Sequence, residues 1–298
     1  MLTTEPTTGK RVEARRSLAF LRSFELYKVD ELGVTIAVTD LAEFKQLAAE
    51  VAGHGQPLIV LENGRLPLDV AAVLAFPVYR AGRVVSVVVL AASSSPDAIG
   101  VFEIWEPIGT YEDVKLAHGY YPNLDRFQNV SAFVRFEKGT GLPGQVWHRQ
   151  RSVVHDDLPN HPGFLRAAGA SAESLTTGIG IPVCDDDFVA AVVLISSKRT
   201  PLARGFEIWI PDPDGYTLVE GSYPSVGPEY SLLPKSKLRR DEGLPGMAAK
   251  REGACVSSDP AVFAARRQAA AGGARLHSGI AIPYYDGASL TSVVVMLF

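Results

Sequence analysis

The four residues Phe102, Glu103, Ile104 and Trp105 return as Phe206, Glu207, Ile208 and Trp209, and a weaker copy, FELY, stands at 24–27. Two further landmarks recur in the same order. GLPG occupies 141–144 and 243–246, each time ahead of a short helical stretch. An apolar-proline strand, a turn and a second apolar strand fill 75–92, 180–196 and 281–297. Between the second and third copies the offsets are 104 for FEIW, 102 for GLPG and 101 for the Ile-Pro step, Pro182 to Pro283. Chance similarity does not hold register across three separate landmarks, so the chain reads as one supersecondary unit used three times.

The first copy is compressed. Its FELY precedes FEIW by 78 residues, and it lacks a counterpart to 120–141. FELYKV and GVTIAVTD read as strands, followed by a helix over LAEFKQLAAEVAG with Asp40 as N-cap and Gly53 as its close. PLIVLENG is a short strand ended by an Asn-Gly turn. Upstream, apolar residues at helical spacing (Ala14, Leu18, Leu21, Phe24) predict a leading helix over 12–24. The second copy is the fullest: a hairpin from VFEIWEP and VKLAHGYYP, an extended SAFVRFEKG, a helix from LPGQVWHRQ, a strand in RSVVHDD, a helix in PGFLRAAGASA, then the closing strand pair. Pro143 is tolerated in the first turn of its helix. The third copy repeats that order and places its second helix in PAVFAARRQAAAGG. Short turns between strands, with helices inserted within each unit, favour antiparallel sheets over βαβ winding. The expected fold class is α+β, each unit an antiparallel sheet of about five to six strands flanked by helices. The division is 1–16 tail and start of the leading helix, then units at 17–99, 100–204 and 205–298.

With 298 residues, 47% hydrophobic and 21% charged, the composition is that of a globular protein with two or three domains. A formal charge of −4 disfavours a nucleic-acid partner. The one basic run, 235–240, is followed directly by Asp241 and Glu242 and reads as a solvated face. Cys184 and Cys255 fall in different units, with no C-x-x-C for metal or redox work. The longest apolar runs are about nine residues, half of what a spanning helix needs, and the N-terminus has no signal-peptide core. No membrane partner and a cytoplasmic location are expected.

The aromatic strand, G-L-P-G with its apolar-aromatic helix, a V-V strand, and G-I-x-I-P-V followed by an apolar strand together resemble a GAF domain. The wording is similar to bacterial sensor GAF domains and to the GAF-like region of plant NIN-like proteins. That resemblance implies a sheet in which the aromatic strand neighbours the last strand, and it implies small-ligand binding without naming the ligand. The family's ligand signatures are missing here. Neither cysteine has a histidine neighbour, as bilin attachment would favour; the ordered cyclic-nucleotide set does not occur; and no unit holds the cysteines of a free methionine sulfoxide reductase.

Candidate ligand-binding residues lie in the second unit. The resemblance places the helix after GLPG beside the ligand cavity, so Trp147 and His148 would bind a planar or anionic ligand. The alternative puts Trp147 in the core and His148 in solvent, since the third unit has Ala248 and Ala249 around that position. His155 ends a strand with Asp156 and Asp157, whose alternating directions suit a strand end and helix N-cap better than a metal. Phe164 and Arg166, with Phe263 and Arg266 as their third-unit counterparts, offer an anion clamp or a core phenylalanine beside a surface arginine. Tyr121 lines a pocket or covers a sheet edge. Asp185, Asp186 and Asp187 form a turn, because the same slot reads Arg80-Ala81-Gly82 and Tyr285-Asp286-Gly287 in the other units. Cys255 reads as a small buried hydrophobe.

No nucleophile elbow, P-loop, zinc-protease or dinucleotide motif occurs, so no catalytic residues are assigned. No cofactor and no metal is identified. Two readings stand. One is a sensory or regulatory protein that binds a small molecule in at least one unit, the second being the best candidate. The other is a ligand-free scaffold or dimerisation protein whose partners are a second copy or a signalling protein.

Overall fold

The computed structural model describes residues 19–62, 64, 66–226, 232, 235–259, 262, 276 and 278–298. Of the leading helix expected over 12–24, the part before residue 19 lies outside these residues, as do Phe263 and Arg266 of the third unit's second helix. Leu21 and Phe24, assigned to that leading helix, belong instead to a strand.

Three antiparallel sheets account for the strands. The first contains β1 (Leu21–Val29), β2 (Thr35–Ala37), β3 (Leu58–Leu61), β4 (Val70–Arg80) and β5 (Arg83–Ser93), in the order β2-β1-β5-β4-β3. The second contains β6 (Gly100–Pro107), β7 (Asp113–Tyr120), β8 (Arg135–Glu137), β9 (Val153–His155), β10 (Leu175–Cys184) and β11 (Phe188–Ser197), in the order β8-β7-β6-β11-β10-β9. The third repeats that arrangement with β12 (Gly205–Asp212), β13 (Gly215–Ser222), β14 (Lys237–Arg239), β15 (Cys255–Ser257), β16 (Gly279–Asp286) and β17 (Ser289–Leu297), in the order β14-β13-β12-β17-β16-β15. The fold class is α+β, mostly β. Each aromatic strand pairs with the last strand of its own sheet: β1 with β5, β6 with β11, β12 with β17.

Helices cover one face of each sheet: α1 (Lys45–His54) in the first, α2 (Asp125–Phe133), α3 (Gly141–Arg149) and α4 (Ala167–Ala172) in the second, α5 (Gly243–Arg251) in the third. Three of these differ from the sequence reading. SAFVRFEKG was expected to be extended, yet α2 runs through Phe133 and only Arg135–Glu137 pairs as strand. The helix expected from 162 onward is reduced to the six residues of α4. Helix α1 starts at Lys45 and closes at Gly55, whose φ of 69° permits the left-handed cap, rather than running from Asp40 to Gly53.

The two GLPG helices do match their expected positions, and two glycines in each unit explain how they seat. Gly141 and Gly243 enter the helix at φ 59° and 69°, where only glycine is comfortable. Gly178 of β10 and Gly279 of β16 lie under Leu142 and Leu244; a Cβ there would come within 3.0 and 2.5 Å of those leucines. The missing side chains let each helix lie close on its sheet.

Strand alternation shows that both faces of every sheet are buried. In β5, Val87, Val89 and Ala91 pack toward α1, while Val88, Leu90 and Ala92 join a second core. In β11, Ala191, Val193 and Ile195 face the helices, and Ala190, Val192 and Leu194 join that same second core. Val294 and Met296 of β17 enter it too. One core is thus shared by the inner faces of all three sheets, which is why the strands read as unbroken apolar runs. Pro77, Pro182 and Pro283, one from each sheet, come together around a void of about 10 Å³.

Candidate functional site

The middle glutamate of each aromatic strand lies on the same face as the aromatic residue two positions on, because strand side chains alternate. That face is covered by helices, so Glu25, Glu103 and Glu207 are all buried. A buried carboxylate must be paired or hydrogen-bonded. Each unit solves this differently.

In the second unit, Glu103 forms an ion pair with Arg166, through Arg166 Nη1 to Oε1 and Nη2 to Oε2, the latter at 2.9 Å. Trp105 Nε1 donates to Oε2 at 2.9 Å and Tyr121 hydroxyl to Oε1 at 2.8 Å. Arg166 Nη1 also donates to Ser131 Oγ at 2.6 Å. Four rings enclose the guanidinium, with Phe127, Trp105, Phe164 and Phe136 at 4.5, 5.2, 5.3 and 5.8 Å from its carbon to ring centroid. Arg166 Nε has no hydrogen-bond partner. Burial first, and then the Glu103 charge, push the Tyr121 hydroxyl well above its usual range.

The first unit has no such arginine among the described residues. Glu25 accepts from the Tyr27 hydroxyl and from the backbone N–H of Glu43 (2.9 Å) and Phe44 (3.1 Å), where the chain enters α1. This is why α1 starts later than Asp40 suggested: the buried Glu25 takes the orphan amides that an N-cap side chain otherwise satisfies. In the third unit Glu207 accepts from Trp209 Nε1 at 2.9 Å and from the Tyr223 hydroxyl at 2.6 Å.

Of the six residues singled out from sequence, Tyr121, Phe164 and Arg166 converge on Glu103. Arg166 is fully buried, not on a helix surface. His155 reaches the margin of this group: its ring stands edge-on to Phe164 at 6.2 Å and stacks on His161 at 3.9 Å. His155 Nε2 meets Gln145 Oε1 at 3.3 Å, and its buried Nδ1 has no partner. Burial, with the neighbouring His161 and Arg149, lowers His155 to about 3. Asp156 points elsewhere. Rather than capping a helix, it accepts from Ser222 Oγ of the third unit at 2.7 Å.

Trp147 and His148 stand apart from that cluster. Trp147 is half-buried, stacked on Phe188 at 5.1 Å and 13°, with Lys138 Nζ 5.1 Å from its ring. His148 is exposed. The third unit differs most here. Ala249 and Lys250 occupy the corresponding α5 positions, and they line a cavity of about 680 Å³ with Tyr216, Arg239, Arg240 and Met247. Both cysteines are buried as thiols; apolar surroundings push them up to about 11 (Cys184) and about 12 (Cys255).

Sequence reasoning missed the three glutamates. Their signal was the repetition of Glu inside an otherwise apolar strand.

No protein-family model and no curated protein matches the chain. Solved structures similar to it include a GAF domain of A. aeolicus NLH2 in an inactive state, at 19% identity, TM-score 0.28, covering 34% of this chain and 59% of that one. The free methionine-R-sulfoxide reductase of Neisseria meningitidis matches at 19% and 0.26, over 34% and 53%. A Staphylococcus aureus NreA mutated in its nitrate-binding site matches at 17% and 0.29, over 35% and 75%. The likeness concerns fold, over about one sheet's length of this chain, and the chain spans only 59% and 53% of the first two proteins. No described helix is long and apolar enough to cross a membrane.

Proposed function

We propose that the chain is a non-enzymatic regulatory protein of three GAF-like modules, 17–99, 100–204 and 205–298, and that a small ligand seats in the third. The observation that carries this is the difference on the face of the GLPG helix that bears Trp147 in one unit and Ala249 in the other. In the second unit Trp147 covers that face of α3, stacked on Phe188 with Lys138 beside its ring. The third has a cavity of about 680 Å³ lined by Ala249 and Lys250, within the range of small-molecule sites. Arg239, Arg240 and Lys250 face Asp241 and Glu242 there, and the amino end of α5 adds partial positive charge, so an anionic group suits the lining.

The test is a thermal-shift screen of metabolites, nucleotides and haem against three proteins: the wild type, Ala249→Trp and Trp147→Ala. A ligand present at 100 times its Kd stabilises by about 2.7 kcal/mol. The expected ligand raises the melting temperature of the wild type and of Trp147→Ala, and leaves Ala249→Trp unmoved. A shift that survives Ala249→Trp and disappears in Trp147→Ala returns the site to the second unit.

The core shared by three sheets favours a second reading, a scaffold that binds nothing small. A screen without hits, together with a stable dimer by light scattering, supports it.

A further inference from the structure

The three sheets differ at one edge. In the second, β8 pairs outside β7, with Glu137, Phe136 and Arg135 opposite Asp113, Val114 and Lys115. In the third, β14 does the same, with Arg239, Leu238 and Lys237 opposite Gly215, Tyr216 and Thr217. In the first, β2 ends the sheet, and among the described residues no strand lies beyond it. The register identifies which residues are left open. Pro107 pairs with Val114 and Pro211 with Tyr216, and the matching residue of the first unit, Val29, pairs with Thr35. Val34, Thr35 and Ile36 therefore hold the positions that a three-residue strand covers in both sister sheets.

An unpaired strand edge is a template for further pairing, and proteins protect such edges with charge. The outer strands of the sister sheets follow that rule, with exposed charged residues on either side of a buried Phe136 or Leu238. The first sheet does the opposite. Val34 is 51% and Ile36 50% exposed, where the second sheet has Asp113 and Lys115, and Leu32 at the neighbouring turn is 87% exposed. Thr35, between them, is buried like Val114 and Tyr216. The turn is held in place: Asp30 Oδ1 accepts from Leu32 and Val34 N–H at 2.9 and 2.8 Å, and Gly33 takes φ 79°. The edge is apolar, ordered and one strand short.

We propose that this edge pairs with the same edge of a second copy, β2 against β2 about a twofold axis through Thr35. The strand is self-complementary in that arrangement. Val34 faces Ile36 of the other copy on the outer side, twice over. β-branched side chains directly opposite one another on adjacent strands are favourable pairs, and an isologous contact closes after two subunits. So short a ladder gives a weak dimer rather than an obligate one.

The test uses the full chain, by sedimentation velocity from about 1 to about 200 μM, a range that brackets micromolar association. The wild type is expected to shift from monomer to dimer. Ile36→Lys places a cation opposite Val34 and is expected to weaken association about tenfold or more; because Ile36 is half-exposed, its melting temperature should match that of diluted wild type. V34C/I36C is expected to cross-link covalently under mild oxidation, whereas Val34→Cys alone, whose twin lies diagonally across the axis, should not. A monomer throughout the range overturns the proposal and leaves the edge to a strand from another protein. A dimer that survives Ile36→Lys, or a double-cysteine variant that stays monomeric on a non-reducing gel, overturns it as well.

Discussion

The second and third units share strand order, the GLPG helix, the glycine under it and the buried glutamate, yet they differ on one face of that helix. The second lays Trp147 on Phe188; the third has Ala249 at the tryptophan's position and a cavity lined by it. What the fold requires is therefore the carboxylate on the aromatic strand and the close helix contact. What fills the space beside them is free to vary. In the second unit that freedom has been used for packing.

The largest effect should come from breaking the filled side. Arg166→Ala leaves Glu103 charged and buried among aromatic rings, and breaking a buried pair in this way costs about 3–5 kcal/mol. Urea denaturation should show that loss. Restoring neutrality with Glu103→Gln in the same chain should recover part of it.

Acid comes next, and in the second unit it acts through His155. His155 lies at about 3 in the folded protein, against about 6.5 in an unfolded chain. Below 6.5 the unfolded chain takes up a proton that the folded one excludes. His155 therefore withholds no stability above 6.5, and stability is lost as pH falls toward 3. Between pH 6.5 and 4.5 the decline from this residue is about 2–3 kcal/mol. Denaturation curves across that window should flatten in His155→Gln; curves of equal slope in both proteins would remove His155 from the explanation.

Exchanging the two helix positions should have smaller, opposite effects. Trp147→Ala strips a half-buried ring from Phe188 and should lower stability by about 1–2 kcal/mol, less than a fully buried tryptophan would. Ala249→Trp fills open space and should be neutral or stabilising. The smallest loss is expected from Gln150→Ala, which removes the acceptor that Tyr284 of the third unit uses at 2.8 Å, worth about 1 kcal/mol.

The repeat carried most of the fold into view before any coordinates. Landmarks at matched offsets correspond to equivalent strands and helices, and the G-L-P-G helices lie where expected because their glycines answer specific steric demands. Helix α2 was hidden because SAFVRF alternates as a strand does, and only Phe127 and Ser131 of the helix are buried. The cluster around Glu103 was half legible. Tyr121, Phe164 and Arg166 carry obvious chemistry, but a glutamate between Phe102 and Ile104 looks like the solvent side of an alternating strand. It is not, because the second face of that strand is covered as well. No pattern within one strand reports what lies over its far side.

The core common to three sheets has a consequence for how the chain is made. The inner faces of the first two sheets, including Leu74, Leu90, Ile181 and Leu194, close against residues as late as Val294 and Met296. During synthesis, with N-terminal units folding first, the first two sheets can pack on each other, but the part of the core closed by Val294 and Met296 stays open until the third unit has emerged. For that interval the nascent protein presents apolar sheet surface to its surroundings, which is the kind of species that associates with its neighbours.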